Sequence, residues 1–222
     1  MQRLEYLQGR LPQVTVIPSC ADMQHFAPGA TREGDFVLGY VGSVGTWCLF
    51  DAVVDSFRLL LECVRNVLLL VFNRIKHASL RDRMEAGGVA QKTVGIRAAA
   101  HAEVLAQMAT MHAGIFFFYK PSSSRAACAP TTLGEFPGCG IPCLFNTGVG
   151  DIAAMLEGER VGVAVDAFDQ AALDAGLTRL LTLMQEPGLR ERCVVAAHRH
   201  FSLDEGVARY RKVYAQLGGL KS

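Results

Sequence analysis

The sequence predicts an α/β domain: a doubly wound, mostly parallel, Rossmann-like sheet with helices on both faces and a C-terminal helical tail. Three observations predict it. Short apolar runs alternate with stretches of helical periodicity along most of the 222 residues. Those runs show little apolar–polar alternation, as strands covered on both faces do. Residues 169–217 then carry three helical patterns in succession.

Taken in order, strands are predicted at residues 14–17, 37–41, 67–72, 92–96, 114–117, 142–145 and 161–165, each a Val-, Ile-, Leu- or Phe-rich run. Helices are predicted between them at 50–63, 79–86, 102–110, 131–139 and 151–156. The tail reads as helices at 169–185, 187–200 and 203–217, with Pro187 as a first helical residue and Ser202 capping the last, Glu205 three positions on. Residues 1–35 form a linker with one short strand, and residues 36–222 the domain proper.

Composition excludes several classes. Half the residues are hydrophobic and 19% are charged, which excludes global disorder. A net charge of +1 gives no sign of a nucleic-acid-binding surface. No apolar run approaches the roughly 18 residues of a spanning helix, and MQRLEYLQGRLPQ lacks a signal peptide's apolar core. The seven cysteines are odd in number and scattered, which predicts reduced, buried, structural thiols in a cytoplasmic protein. Cys139 and Cys143 flank Gly140 and Pro142, a helix-to-strand turn and not a metal knuckle, and no histidine spacing calls for a metal. His198, Arg199, His200, Arg209, Arg211 and Lys212 make the tail basic: a solvated face, or a peripheral contact with an anionic membrane or a partner lobe.

Two stretches carry chemistry. In residues 114–151 a strand, a polar loop, a helix start, the lone acid Glu135, the turn Gly138–Gly140 and a second strand follow one another. Backbone N–H groups and one carboxylate there suit an anionic, hydroxyl-rich ligand. In Gly39-Tyr40-Val41-Gly42-Ser43-Val44-Gly45-Thr46-Trp47 glycines follow a strand and let a ligand approach the backbone. This is not a GxGxxG fingerprint, and the next strand ends in Asn73-Arg74 where a dinucleotide fold places an acid, so a nicotinamide oxidoreductase is disfavoured.

VIPSCADMQHFAP (16–28), LGYVGSVGTWCLFDAVVDSF (38–57) and PTTLGEFPGCGIPCLFNTGVGD (130–151), in this order and spacing, resemble the C-terminal, donor-binding half of retaining GT-B glycosyltransferases of the family-four type. The resemblance runs from about residue 14 to 217. It implies one half of a GT-B fold, a nucleotide diphosphate sugar as donor substrate and no other cofactor. Residue by residue, Glu135 would bind the donor ribose, and the backbone of Thr131, Thr132 and Leu133 would face the diphosphate. Gly42, Ser43 and Gly45 would floor the cleft, and Gly95, Ile96 and Arg97 would form the loop at the base. Ala127 stands where many members have a second acid, Thr132 where a lysine is common, and Ser43 at the first position of a basic pair. Lys120 is then the local substitute for the missing positive charge, with Arg125 and Arg74 behind it.

The implied function is donor binding for a sugar transfer with retention, the acceptor lobe lying outside this chain. The alternatives are a non-catalytic nucleotide-sugar-binding or assembly module that pairs with a partner chain or a second copy, and a sugar-nucleotide epimerase.

Overall fold

A computed structural model of the chain describes residues 15–26, 28–29, 34–45, 48–118 and 130–218. Its elements are β1 (Phe36–Val41), α1 (Phe50–Cys63), β2 (Val67–Phe72), α2 (His77–Ala86), β3 (Val94–Arg97), α3 (His101–Met108), β4 (Ala113–Phe116), α4 (Thr132–Gly138), β5 (Cys143–Asn146), α5 (Ile152–Gly158), β6 (Gly162–Val165), α6 (Gln170–Leu183), α7 (Leu189–Phe201) and α8 (Leu203–Gly218). The six strands form one sheet in the order β3-β2-β1-β4-β5-β6, and every neighbouring pair is parallel.

Burial follows from the sequence pattern. β4, β5 and β6 are buried at all four positions, as strands covered on both faces are, although β6 is the last strand of the sheet. Alternation across β1 separates the two faces. Tyr40 packs edge-on against Phe50 of α1, whereas Gly39 points the other way and pairs in register with Gly114, which lies under Phe136 of α4. Helices therefore cover both faces. α1 presents Phe50, Val53, Val54, Phe57 and Leu60 inward at helical spacing and keeps Asp51 and Asp55 in solvent.

The order reverses between β1 and β4, so the connections after these strands leave in opposite directions. A crevice outside the carboxyl ends of the strands is the consequence.

Three expectations need correction. Residues 15–17 join no strand; the linker instead meets the tail where Ala21 N–H donates to Phe201 O at 2.8 Å and Leu203 N–H to Ala21 O at 3.0 Å. Met23 and Phe26 are buried against Gly138, so this part of the linker packs on the domain. Pro187 is not the first residue of α7, which starts at Leu189 behind Gly188, whose φ of 71° takes the chain out of helix. The thiols are not uniformly buried: Cys63 is exposed and Cys20 half-buried, while Cys48, Cys139, Cys143 and Cys193 are buried. Burial pushes the Cys143 thiol well up and that of Cys193 up to about 12. Among the described cysteines, a thiol-alkylating reagent at pH 8 is expected to label Cys63 in the native protein and to reach Cys143 and Cys193 only after unfolding, as peptide mass spectrometry would record.

Candidate functional site

A cleft of about 370 Å³ opens at the carboxyl edge of the sheet, beside the strand-order reversal. Its walls are the segments after β1 (Gly42, Ser43, Val44) and β2 (Asn73, Arg74, Ile75, Lys76), with Ala99 and Val104 at one end and Glu135 of α4 on the side.

The first wall is held from below. β1 carries Tyr40 fully buried, stacked on Phe116 at 5.3 Å between ring centroids. Its hydroxyl donates to Ser43 O at 2.8 Å, which shapes the turn, and burial raises its pKa so that it stays a donor. Gly42 must lack a side chain, since a Cβ there would stand 2.5 Å from Phe116 Cε2. Gly45 is not among the residues that line the cleft, but Lys76 Nζ, which belongs to the cleft wall, lies 3.7 Å from the position a Gly45 Cβ would take.

Asn73 ties the second wall to the first. The side chain is buried, its Nδ2 donates to Gly42 O at 3.0 Å, and its Oδ1 accepts from Ile75 N–H at 3.1 Å and Lys76 N–H at 2.9 Å. One amide thus satisfies three backbone groups of two loops. His77 Nε2 closes the turn against Asn73 O at 2.6 Å. Neither Asn73 nor Lys76 stands out as a ligand residue from sequence; an asparagine closing a strand before a helix is, however, an Asx-turn signal. Tyr40 has no such signal.

Glu135 reaches the cleft from α4, a helix of seven residues that contains Pro137. Pro137 sits in its last turn, and Cys139, Gly140 and Ile141 N–H groups bond back to close the end. The proline is accommodated because the helix is short. At its start Leu133 N–H donates to Pro130 O at 3.2 Å, and Gly134 and Glu135 N–H groups to Thr131 O at 2.8 and 2.9 Å. The Leu133 side chain is buried. Thr131 and Thr132 are more exposed and lie before the helix and at its first position.

Of the sequence-predicted residues, Gly42, Ser43, Arg74 and Glu135 come together around the cleft. Gly95, Ile96 and Arg97 do not form a loop: they lie in β3, paired with Leu70, Val71 and Phe72 of β2. Arg97 O accepts from Asn73 N–H at 3.0 Å, and it is Ala99, beyond the strand, that lines the cleft. Lys120 and Arg125 lie outside the described residues. Among the described residues no three His, Cys, Asp or Glu side chains group as metal ligands, and no helix is long and apolar enough to cross a membrane.

No protein-family model matches the chain, and no curated protein matches it. Solved structures do share its fold. A glycosyltransferase from Rickettsia africae matches with a TM-score of 0.74 at 14% identity, over 95% of this chain and 58% of its own. Sucrose-phosphate synthase from Thermosynechococcus elongatus gives 0.73 at 15%, over 99% and 57%. Anabaena HepE, solved in complex with UDP, gives 0.72 at 14%, over 92% and 57%. The chain therefore has the Rossmann-like fold of one half of GT-B glycosyltransferases and spans somewhat more than half the length of these structures.

Proposed function

We propose that this chain is the donor-binding half of a glycosyltransferase that holds a nucleotide diphosphate sugar at the carboxyl edge of its sheet. The observation that carries the reading is the cleft beside the β1/β4 reversal, which joins a carboxylate (Glu135), two cations (Arg74 and Lys76) and the side-chain-free backbone of Gly42. A carboxylate accepts hydrogen bonds from ribose hydroxyls, and cations neutralise phosphate. In the reaction, the bond between the anomeric carbon and the diphosphate oxygen breaks, the diphosphate leaves with the electron pair, and an acceptor hydroxyl oxygen bonds to that carbon and gives up its proton. The sequence resemblance to retaining enzymes of the family-four type supports transfer with retention. The acceptor is held by a second lobe, encoded in further sequence or in a partner chain.

The tail offers a surface for that lobe. Leu203, Val207, Tyr210, Tyr214 and Leu217 of α8 are exposed at alternating spacings of four and three, one continuous apolar stripe. A second reading, a non-catalytic nucleotide-sugar-binding module, is favoured by one observation: residues 42–49, GSVGTWCL, contain no cation to stabilise a leaving diphosphate.

Calorimetric titration of the chain with UDP, GDP, ADP and CDP tests the shared part of both readings. One diphosphate is expected to bind selectively, and Glu135→Ala to weaken it about tenfold, as loss of a charge-assisted hydrogen bond does. Unchanged affinity in the variant would place the ligand elsewhere. Sugar transfer on addition of the second lobe, and its absence, separate the enzyme from the binding module.

A further inference from the structure

We propose that Lys76, with Arg74 beside it, is the cation that holds the ligand's phosphates in this cleft; the assignment rests on the nucleotide reading above. The segment after β1 has no lysine or arginine from Gly42 to Leu49, so the charge has to come from another loop. Lys76 supplies it. Its ammonium lies over the turn after β1: a Cβ at Gly45 would have Lys76 Nζ at 3.7 Å and no other described neighbour within 4 Å. Gly45 itself puts no side chain there, and among the described residues only Lys76 comes near that position.

The backbone of Lys76 is fixed by Asn73 Oδ1, which accepts its N–H at 2.9 Å, so the side chain starts from a defined point. Neither Lys76 nor Arg74 takes part in an ion pair with the described residues, whose pairs lie on other surfaces. Both side chains are exposed and line the cleft together with Glu135. A compact ammonium with three donors suits phosphate oxygens, and the carboxylate suits a diol, so the cleft carries a group for each part of a nucleotide.

The test compares the nucleoside diphosphate that binds wild type best with its nucleoside, by calorimetry and by ligand-observed NMR for the weaker ligand. Lys76→Met is expected to lower diphosphate affinity about tenfold or more and to leave nucleoside affinity unchanged. Lys76→Arg should stay within about threefold of wild type. Added salt should weaken diphosphate binding to wild type more than to Lys76→Met. Lys76 is exposed, so the variants are expected to keep the wild-type melting temperature. Unchanged diphosphate affinity in Lys76→Met, or equal losses for diphosphate and nucleoside, would overturn the assignment while leaving the nucleotide reading standing. A large loss in Arg74→Gln with none in Lys76→Met would overturn it in the same way. Wild type binding none of the four diphosphates would overturn the nucleotide reading and this assignment with it.

Discussion

Phe136→Ala is expected to lower the free energy of unfolding by about 3–5 kcal/mol, the range for emptying a buried phenylalanine site, and to abolish measurable nucleotide binding with it. The ring is fully buried, one residue after Glu135, and it occupies the space left by Gly114 of β4, where a Cβ would stand 2.6 Å from Phe136 Cδ2. On the other side of α4, Gly134 lies so near Phe201 of α7 that a Cβ would meet its Cγ at 2.7 Å. A seven-residue helix ending in a proline-containing turn has little stability of its own. Its position, and with it that of the Glu135 carboxylate, therefore depends on this wedge between sheet and α7. Urea unfolding of the purified variant checks the stability loss. Gly114→Ala approaches the same contact by overfilling it, and about 1–3 kcal/mol of destabilisation is expected there.

Asn73→Ala should act on the cleft more than on the core. The change removes the donor to Gly42 O and the acceptor for Ile75 and Lys76 N–H in one step. Ile75 and Lys76 are exposed, so water can take over part of the lost bonding. A stability loss of about 2 kcal/mol is expected, near the middle of the range for a buried hydrogen-bonded group. Both walls then lose their common anchor, and nucleoside diphosphate affinity should fall about tenfold. Asn73→Asp separates the two roles, since a carboxylate still accepts from Ile75 and Lys76 but cannot donate to Gly42 O. If that variant keeps the wild-type melting temperature and still binds weakly, the Gly42 contact is what sets the first wall. Calorimetry on the three proteins, paired with thermal melts, decides it.

β4, β5 and β6 were legible because they are buried on both faces and so read as unbroken apolar runs, whereas β1 and β2 are buried in part and β3 at no position. Residues 50–63 and 67–72 are α1 and β2 to the residue. β3 starts two residues later than the pattern suggests, since Gln91–Thr93 forms a 3-10 turn in which Thr93 Oγ1 donates to Ala90 O at 2.7 Å. The run at 14–17 misled because an apolar tetrapeptide carries no information about a partner, and the linker's bridge to Ser202 depends on the distant tail. Gly42, Ser43, Arg74 and Glu135 could be found from glycines at a strand end, a charge after a strand and a lone acid in a short helix. Lys76 and the tie from Asn73 to Gly42 could not, because each acts between two loops that only the strand order brings together, and Tyr40 could not because its bond to Ser43 O depends on the shape of the turn after β1. The exposed stripe of α8 is visible as a 4-3 spacing, but that spacing alone does not distinguish a buried face from an open one.

Hydrogen–deuterium exchange of the chain, alone and saturated with the nucleoside diphosphate that binds it, would locate the ligand on the sheet. Slowed exchange at residues 42–45, 73–76 and the start of α4 is the predicted result, because ligand and walls would meet there. Protection confined to the opposite edge of the sheet, around Asp35, Cys63–Val67 and Lys92, would contradict the account and move the ligand to the amino ends of the strands.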